Sequence, residues 1–306
     1  IEDVLTGEVL KNLSTRMFFF QDLGKSQFLA DYAVLSRGAY MQWSDAKSRN
    51  AVIARAAEGM GAAFGWGPEN DYVSTLNQAG IFVHASDYNK NLAALSNVMS
   101  HGRAQFKSMR PMQRSKKRNR SSLERKSATN NSHTVAFLMT DGDNLQYILG
   151  PWSVDQRWYG SPQRGTVPCG WTMSPAIADL APAALGAILR SQTDNDEMVA
   201  GPSGLGYVYP TTWPAKDLQE FADATHGAMK SANMATINIL GQNNDEPDCG
   251  LIDPILQGTD GGFFYPWGDG YSALHGKIFW CQGQPLVSGR FSLWGDSTTG
   301  DMVGVS

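Results

Sequence analysis

Cysteine is scarce in this 306-residue chain: Cys169, Cys249 and Cys281 are alone, and no C-x-x-C pair exists. Three thiols exclude a disulfide framework and leave room for one bridge at most, with Cys249–Cys281 the first pairing to consider. Long apolar runs are missing as well. "MFFF" and "LAPAALGAIL" fall far short of the roughly eighteen residues of a membrane helix. His84, His226 and His275 lie far apart without ligand spacing, so each reads as structural and no metal is expected. G-x-S-x-G, H-E-x-x-H and P-loop patterns are absent, which removes the enzyme classes those motifs identify. No cofactor is implied. The chain opens on Ile1 with neither initiator methionine nor signal peptide, as a processed, trimmed or excised product would.

Net charge is only -4, but it is unevenly placed. Ten Lys/Arg and one acid, Glu124, lie between His101 and His133. Setting these aside leaves 15 basic against 28 acidic residues, a body near -13. An acidic body does not suit a nucleic-acid or anionic-membrane binder. The basic stretch, residues 101–134, is polar and aperiodic and reads as a solvated insertion.

From about residue 38, short apolar runs alternate with helix-like stretches. The strand candidates are "GAYMQW", "AAFGWG", "IFVHAS", "TVAFLMT", "CGWTMS", "EMVAGPSGLGYVY", "ATINILG" and "GGFFYP". Helical segments follow several of them, among them "SDAKSRNAVIARAAEGMG" and "PAKDLQEFADATHGAMKSAN". Strand-helix repetition implies a parallel sheet. Eight such units predict a closed (β/α)8 TIM-barrel-like single domain over residues 34–295; a doubly wound open sheet is the alternative. Residues 1–33 read as a partly helical lead-in and 296–306 as a tail. "KIFWCQGQPLVSGRF" reads as a C-terminal β-hairpin extension outside the barrel.

In a barrel the reacting groups sit at the C-terminal strand ends. Those ends carry Trp66, Asp87, Asp141, Asp143, Asn144, Ser203, Tyr207, Tyr209, Asp245, Glu246, Tyr265, Trp267 and Asp269. Carboxylates, amides and aromatic rings together suit sugars, whose hydroxyls need polar partners and whose C–H faces stack on rings. "TDGDN" is the sharpest polar cluster, readable as a catalytic carboxylate pair or as a turn capping the next helix. It lacks the glycine and glutamate of an EF-hand.

"GPSGLGYVYP", Gly201 to Pro210, spends three glycines and two prolines in ten residues. Glycine packs poorly inside a strand, so something approaches this backbone closely, either a ligand or a neighbouring loop. Tyr207 and Tyr209 point to one side of an extended segment; they face the ligand or plug the barrel end. The run from Gly204 to Pro210 resembles the motif of the GxGYxYP family of putative glycoside hydrolases. "MTDGDNLQ", "GWTMSPAIADLAP", "DGGFFYPWGDGYS" and "GKIFWCQGQPLVSGRFSLW" are similar too, so the likeness covers most of residues 34–295. The resemblance implies a (β/α) barrel and carbohydrate use, usually outside the cytoplasm.

Two functions follow. In a secreted glycoside hydrolase, two carboxylates stand about 5–5.5 Å apart for retention or about 6.5–9.5 Å for inversion. The catalytic candidates are Asp141 or Asp143 opposed by Asp245 or Glu246, with Asp87 and Asp269 in reserve. Trp66, Asp87, Asn144, Ser203, Tyr207, Tyr209, Tyr265, Trp267 and Asp269 would bind substrate. Metal-assisted deacetylation of sugars would use the aspartates but lacks histidine ligands. The alternative is a non-catalytic carbohydrate-binding or structural subunit of an extracellular surface or fibre, able to self-associate. In a secreted glycoprotein the sequons at Asn12, Asn119 and Asn130 would carry glycans.

Overall fold

The computed structural model describes residues 11–21, 28–56, 59–98, 135–142, 144–242, 245–267 and 274–291. All eight expected strand segments contain strands, but they do not close a barrel. They divide between two sheets, one of four strands and one of seven. The first holds β1 (Met17–Phe20), β2 (Ala39–Met41), β3 (Gly61–Gly65) and β4 (Ile81–Ala85), all parallel, in the order β2-β1-β3-β4. β1 is the short "MFFF" run, sitting in a central position within the segment read as a lead-in.

Placing β2 outside β1 reverses the direction of winding, so helices cover both faces. The two-residue period of β1 shows this directly. Phe19 packs with Ala33 of α1 (Ala30–Ser36) and Leu92 of α4 (Leu92–Asn97). Phe18 and Phe20 pack with Val52 of α2 (Ala46–Ile53) and with Tyr72, Val73 and Leu76 of α3 (Glu69–Gln78). Asp45 caps α2 by accepting from the Ser48 amide.

The second sheet winds one way. β5 (Phe137–Met139), β6 (Cys169–Met173), β7 (Asp196–Ala200), β8 (Thr236–Gln242) and β9 (Gly262–Trp267) lie side by side in chain order, all parallel. Right-handed crossovers in one direction put every helix on one face. Accordingly α6 (Ile177–Leu180), α7 (Pro182–Ser191), α8 (Leu218–Ser231) and α9 (Cys249–Leu256) share a core with Met198, Ile237, Ile239 and Phe264. The opposite face carries Leu240 and Tyr265, which pack with Phe18, Phe20 and Val83 of the first sheet. The expected C-terminal hairpin is present as β10 (Ile278–Cys281) and β11 (Gln284–Ser288), but it extends this sheet through β11 and β9.

Among the described residues, β4 pairs with the second unit only through isolated bridges, Val83 to Tyr207 and Ala85 to Asn144, and forms no ladder with it. Strand-helix alternation therefore specified parallel crossovers correctly, whereas barrel closure required a ladder between β4 and β5 that does not form. The segment that joins those strands contains the basic insertion, which lies outside the described residues.

At the N-terminal end of the second sheet, buried Asp196 accepts from Trp171 Nε1 at 2.9 Å, from the Thr193 amide at 2.8 Å and from the Thr193 hydroxyl at 2.9 Å. It also pairs with Arg164, whose guanidinium lies 4.0 Å over the Tyr159 ring. At the other edge a Cys249–Cys281 disulfide, spanning 32 residues, ties α9 to β10. Cys169 is free. Closing a loop of that length removes unfolded-state entropy worth about 3–4 kcal/mol. Reduction is thus expected to lower the urea unfolding midpoint, and an unchanged midpoint would show that the bridge contributes no stability.

Candidate functional site

The glycine-rich motif runs between the two sheets and bonds to both. Leaving β7, the Ser203 amide donates to Asn238 O at 2.8 Å, and Ser203 Oγ accepts from the Leu240 amide at 3.0 Å, so the segment rides along β8. Four residues on, the Tyr207 amide donates to Val83 O at 2.7 Å on β4. Gly206 sits where the crossing is tightest. A Cβ there would fall 2.5 Å from the Phe82 ring and 2.9 Å from Val83 O. What approaches this backbone is therefore the neighbouring strand.

Tyr207 and Tyr209 are buried, with their rings 5.7 Å apart edge-to-face. Trp66, half-buried, lies 5.4 Å from Tyr207. The chain around these rings is held by Asn77, a fully buried side chain at the end of α3. Its Oδ1 accepts from the Tyr209 amide at 2.8 Å and from the Thr212 hydroxyl at 3.3 Å. Its Nδ2 donates to Ile81 O at 3.1 Å and Tyr207 O at 3.5 Å. Nothing in the sequence around Asn77 announces this role, because its motif partners are 130 or more positions away.

The "TDGDN" turn is built at the carboxyl end of β5. The Gly142 amide donates to Thr172 Oγ1 at 3.0 Å, and Gly142 O accepts from the Ser174 amide at 2.9 Å. A Cβ on Gly142 would lie 2.0 Å from Thr172 O. Backbone cannot yield as a flexible side chain can, so Gly142→Ala is expected to cost about 3 kcal/mol or more. A thermal melt within about 1 °C of the parent, on the order of the shift from roughly half a kcal/mol, would contradict that close approach.

Asp141 is held at φ 69, a left-handed conformation that aspartate tolerates better than most residues. Burial pushes its carboxyl above the ordinary value of 3.8. Across the sheet at the end of β9, half-buried Tyr265 hydrogen-bonds the Thr140 side chain. Burial raises the Tyr265 phenol pKa most; the Thr140 bond lowers it, and the Asp141 charge raises it. Three strands lie between β5 and β9 in the sheet, so this approach requires strong curvature. Asn144 opens α5 (Leu145–Ile148) and bridges Ala85, bringing the turn after β4 against this one.

That neighbouring turn carries Ser86, Asp87 and Asn89, all buried. Gln21, at the end of β1, donates to Asp87 O at 2.7 Å and accepts from the Tyr40 hydroxyl at 2.7 Å. Asn89 Oδ1 has no hydrogen-bond partner. His84, between the Phe64 and Phe82 rings, is driven by burial down to about 3 and stays neutral.

Asp245 and Glu246 follow the end of β8. Both are exposed on a small cleft of about 140 Å³, shared with Thr211, Gln242 and Leu251. Glu246 pairs with Lys277. No hydrogen bond or ion pair joins Asp141 to either of them. Asp143, Asp269, Asn119, Asn130 and the Trp267 side chain lie outside the described residues. Asn12 is exposed.

A doubly wound four-stranded sheet strapped to a curved, singly wound seven-stranded one, with polar groups at the strand ends, defines a two-sheet α/β protein. Residues 131–305 match the "GxGYxYP putative glycoside hydrolase C-terminal domain", and residues 15–97 match the "GxGYxYP third domain". The chain belongs to the GxGYxYP family. A crystal structure described as a putative hydrolase from Bacteroides thetaiotaomicron VPI-5482 has the same fold, with a TM-score of 0.73 at 23% identity. The match covers 94% of this chain and 54% of that one, so this chain spans about half the length of that protein. No functionally curated protein matches.

Proposed function

We propose that this chain carries the carbohydrate-cleaving site of a secreted glycoside hydrolase, with Asp141 as general acid. The observation that carries the reading is the Asp141 carboxyl, buried at the strand ends so that it holds its proton more tightly than an ordinary aspartate, with Tyr265 close enough to feel its charge. A general acid must hold a proton near the working pH, and desolvation is how proteins supply that. The second carboxylate in this reading is Asp87, buried on the adjoining turn. Trp66 supplies a ring for stacking a sugar face.

Secretion fits the Cys249–Cys281 disulfide, since such bridges persist in oxidising compartments. Asn12 is then expected to be glycosylated. Glycosidase treatment of native material should convert it to aspartate, and an unmodified asparagine would argue against export through a glycosylating pathway.

A second reading, a non-catalytic carbohydrate-binding subunit that self-associates, is favoured by the burial of Tyr207 and Tyr209. A glycan panel read both for cleavage and for binding separates the two. Released sugars support the hydrolase. Binding without release, in the parent protein, moves the function to the second reading.

A further inference from the structure

The strongest unassigned cluster surrounds the disulfide. Cys249 opens α9 and Cys281 ends β10. Asp253 follows Cys249 by four residues, which places both on one side of the helix. Ligand atoms of Cys249, Asp253 and Cys281 all lie within 4.8 Å of one another. Asp253 is only 8% exposed, and its Oδ1 has no hydrogen-bond partner. Leaving a carboxylate oxygen buried and unmatched is costly, and disulfide sulfur has no proton to offer it. The oxidised cluster therefore holds an acceptor with nothing to accept from.

We propose that reduction of the disulfide turns this cluster into a binding site for a thiophilic divalent cation, Zn²⁺ above all. Its ligands are the two thiolates and the Asp253 carboxylate. The reductant is a dithiol. Two electrons from it break the S–S bond, its own sulfurs join as a new disulfide, and its two protons pass to Cys249 and Cys281. Zn²⁺ then displaces those two protons as the two Zn–S bonds form. Zn–S bonds of about 2.3 Å and Zn–O bonds of about 2.0–2.2 Å separate tetrahedral donors by roughly 3.3–3.8 Å, a spacing that fits inside this cluster.

Two soft sulfurs select zinc over magnesium or calcium, and the fourth position is left to water. Access is through Cys249, which is half-buried, while Cys281 and Asp253 are buried behind it. One cluster thus serves two states: a crosslink when oxidised and a metal clasp when reduced.

The test uses the full chain in a Cys169→Ser background, so that the two bridging thiols are the only ones. Oxidised and dithiol-reduced samples are incubated with Zn²⁺, gel-filtered without oxygen, and analysed for metal and by circular dichroism. About one equivalent should stay with the reduced chain and essentially none with the oxidised one. Co²⁺ in place of zinc should give thiolate-to-metal charge-transfer absorption.

Asp253→Asn, folded with its bridge intact before reduction, should bind at least about tenfold more weakly. Cys249→Ser should abolish retention. Equal zinc in the oxidised and reduced chains overturns the proposal. So does an Asp253→Asn chain that holds zinc as tightly as the parent, or a reduced chain that unfolds instead of binding.

Discussion

Asp141→Asn is expected to reduce glycan cleavage by about 10²–10⁴-fold, the usual worth of a positioned general acid, while leaving the protein as stable as before or slightly more so. Asparagine is the right replacement because it accepts the left-handed backbone at this position, which alanine would resist. The stability sign follows from linkage. Burial places the folded-state pKa of Asp141 above its ordinary 3.8, so the folded chain holds the proton more tightly than the unfolded one. Its contribution is fully present below 3.8 and is lost as pH rises through the folded value.

The parent should therefore lose stability over that window, and the Asn variant should lose less. Activity of the parent should fall on the alkaline side as the same proton leaves. Melting curves and rates across pH test both. Unchanged turnover in Asp141→Asn, or a variant that melts lower at neutral pH, would make the turn a structural feature and take the acid role from Asp141.

Asn77→Ala should destabilise by roughly 3 kcal/mol, because it strips partners from the buried Tyr209 amide and Ile81 carbonyl together. Ser74 supplies the control. It sits on the same helix and accepts one bond, from Gln242 Nε2 at 3.0 Å. Ser74→Ala should cost less than about 1 kcal/mol. Denaturant unfolding of both variants checks the contrast, and equal losses would mean that Asn77 does not hold the motif. A loss in Asn77→Ala should also show as increased quenching of tyrosine fluorescence, since Tyr207 and Tyr209 would become accessible.

The sequence displayed the strands plainly, because apolar runs bounded by glycine and helical caps are local signals. Their order was hidden. Nothing in "MFFF" says that β2 will settle on its far side, and that one placement converts barrel winding into a doubly wound sheet. The position of "TDGDN" at a strand end was readable, but the Thr172 backbone that fills the place of a Gly142 Cβ belongs to a strand thirty residues away. The pairing of Asp141 with Asp245 or Glu246 was drawn on the geometry of a closed ring, which the two sheets do not form. Tyr207 and Tyr209 were legible as a pair on one side; that their side is the shared core could be known only once β4 lay against them.

The strap also bears on how this protein can be inherited and cut. Residues 15–97 and 131–305 match separate family domains, yet one aromatic core uses both. A fragment ending at residue 97 would strip from Val83 the Tyr207 segment that lies along it. The complementary fragment would present Tyr207, Tyr209, Leu240 and Tyr265. Neither piece keeps a finished interior. Shuffling one without the other exposes sticky apolar surface in both, so the two segments are held together as a single heritable unit by packing.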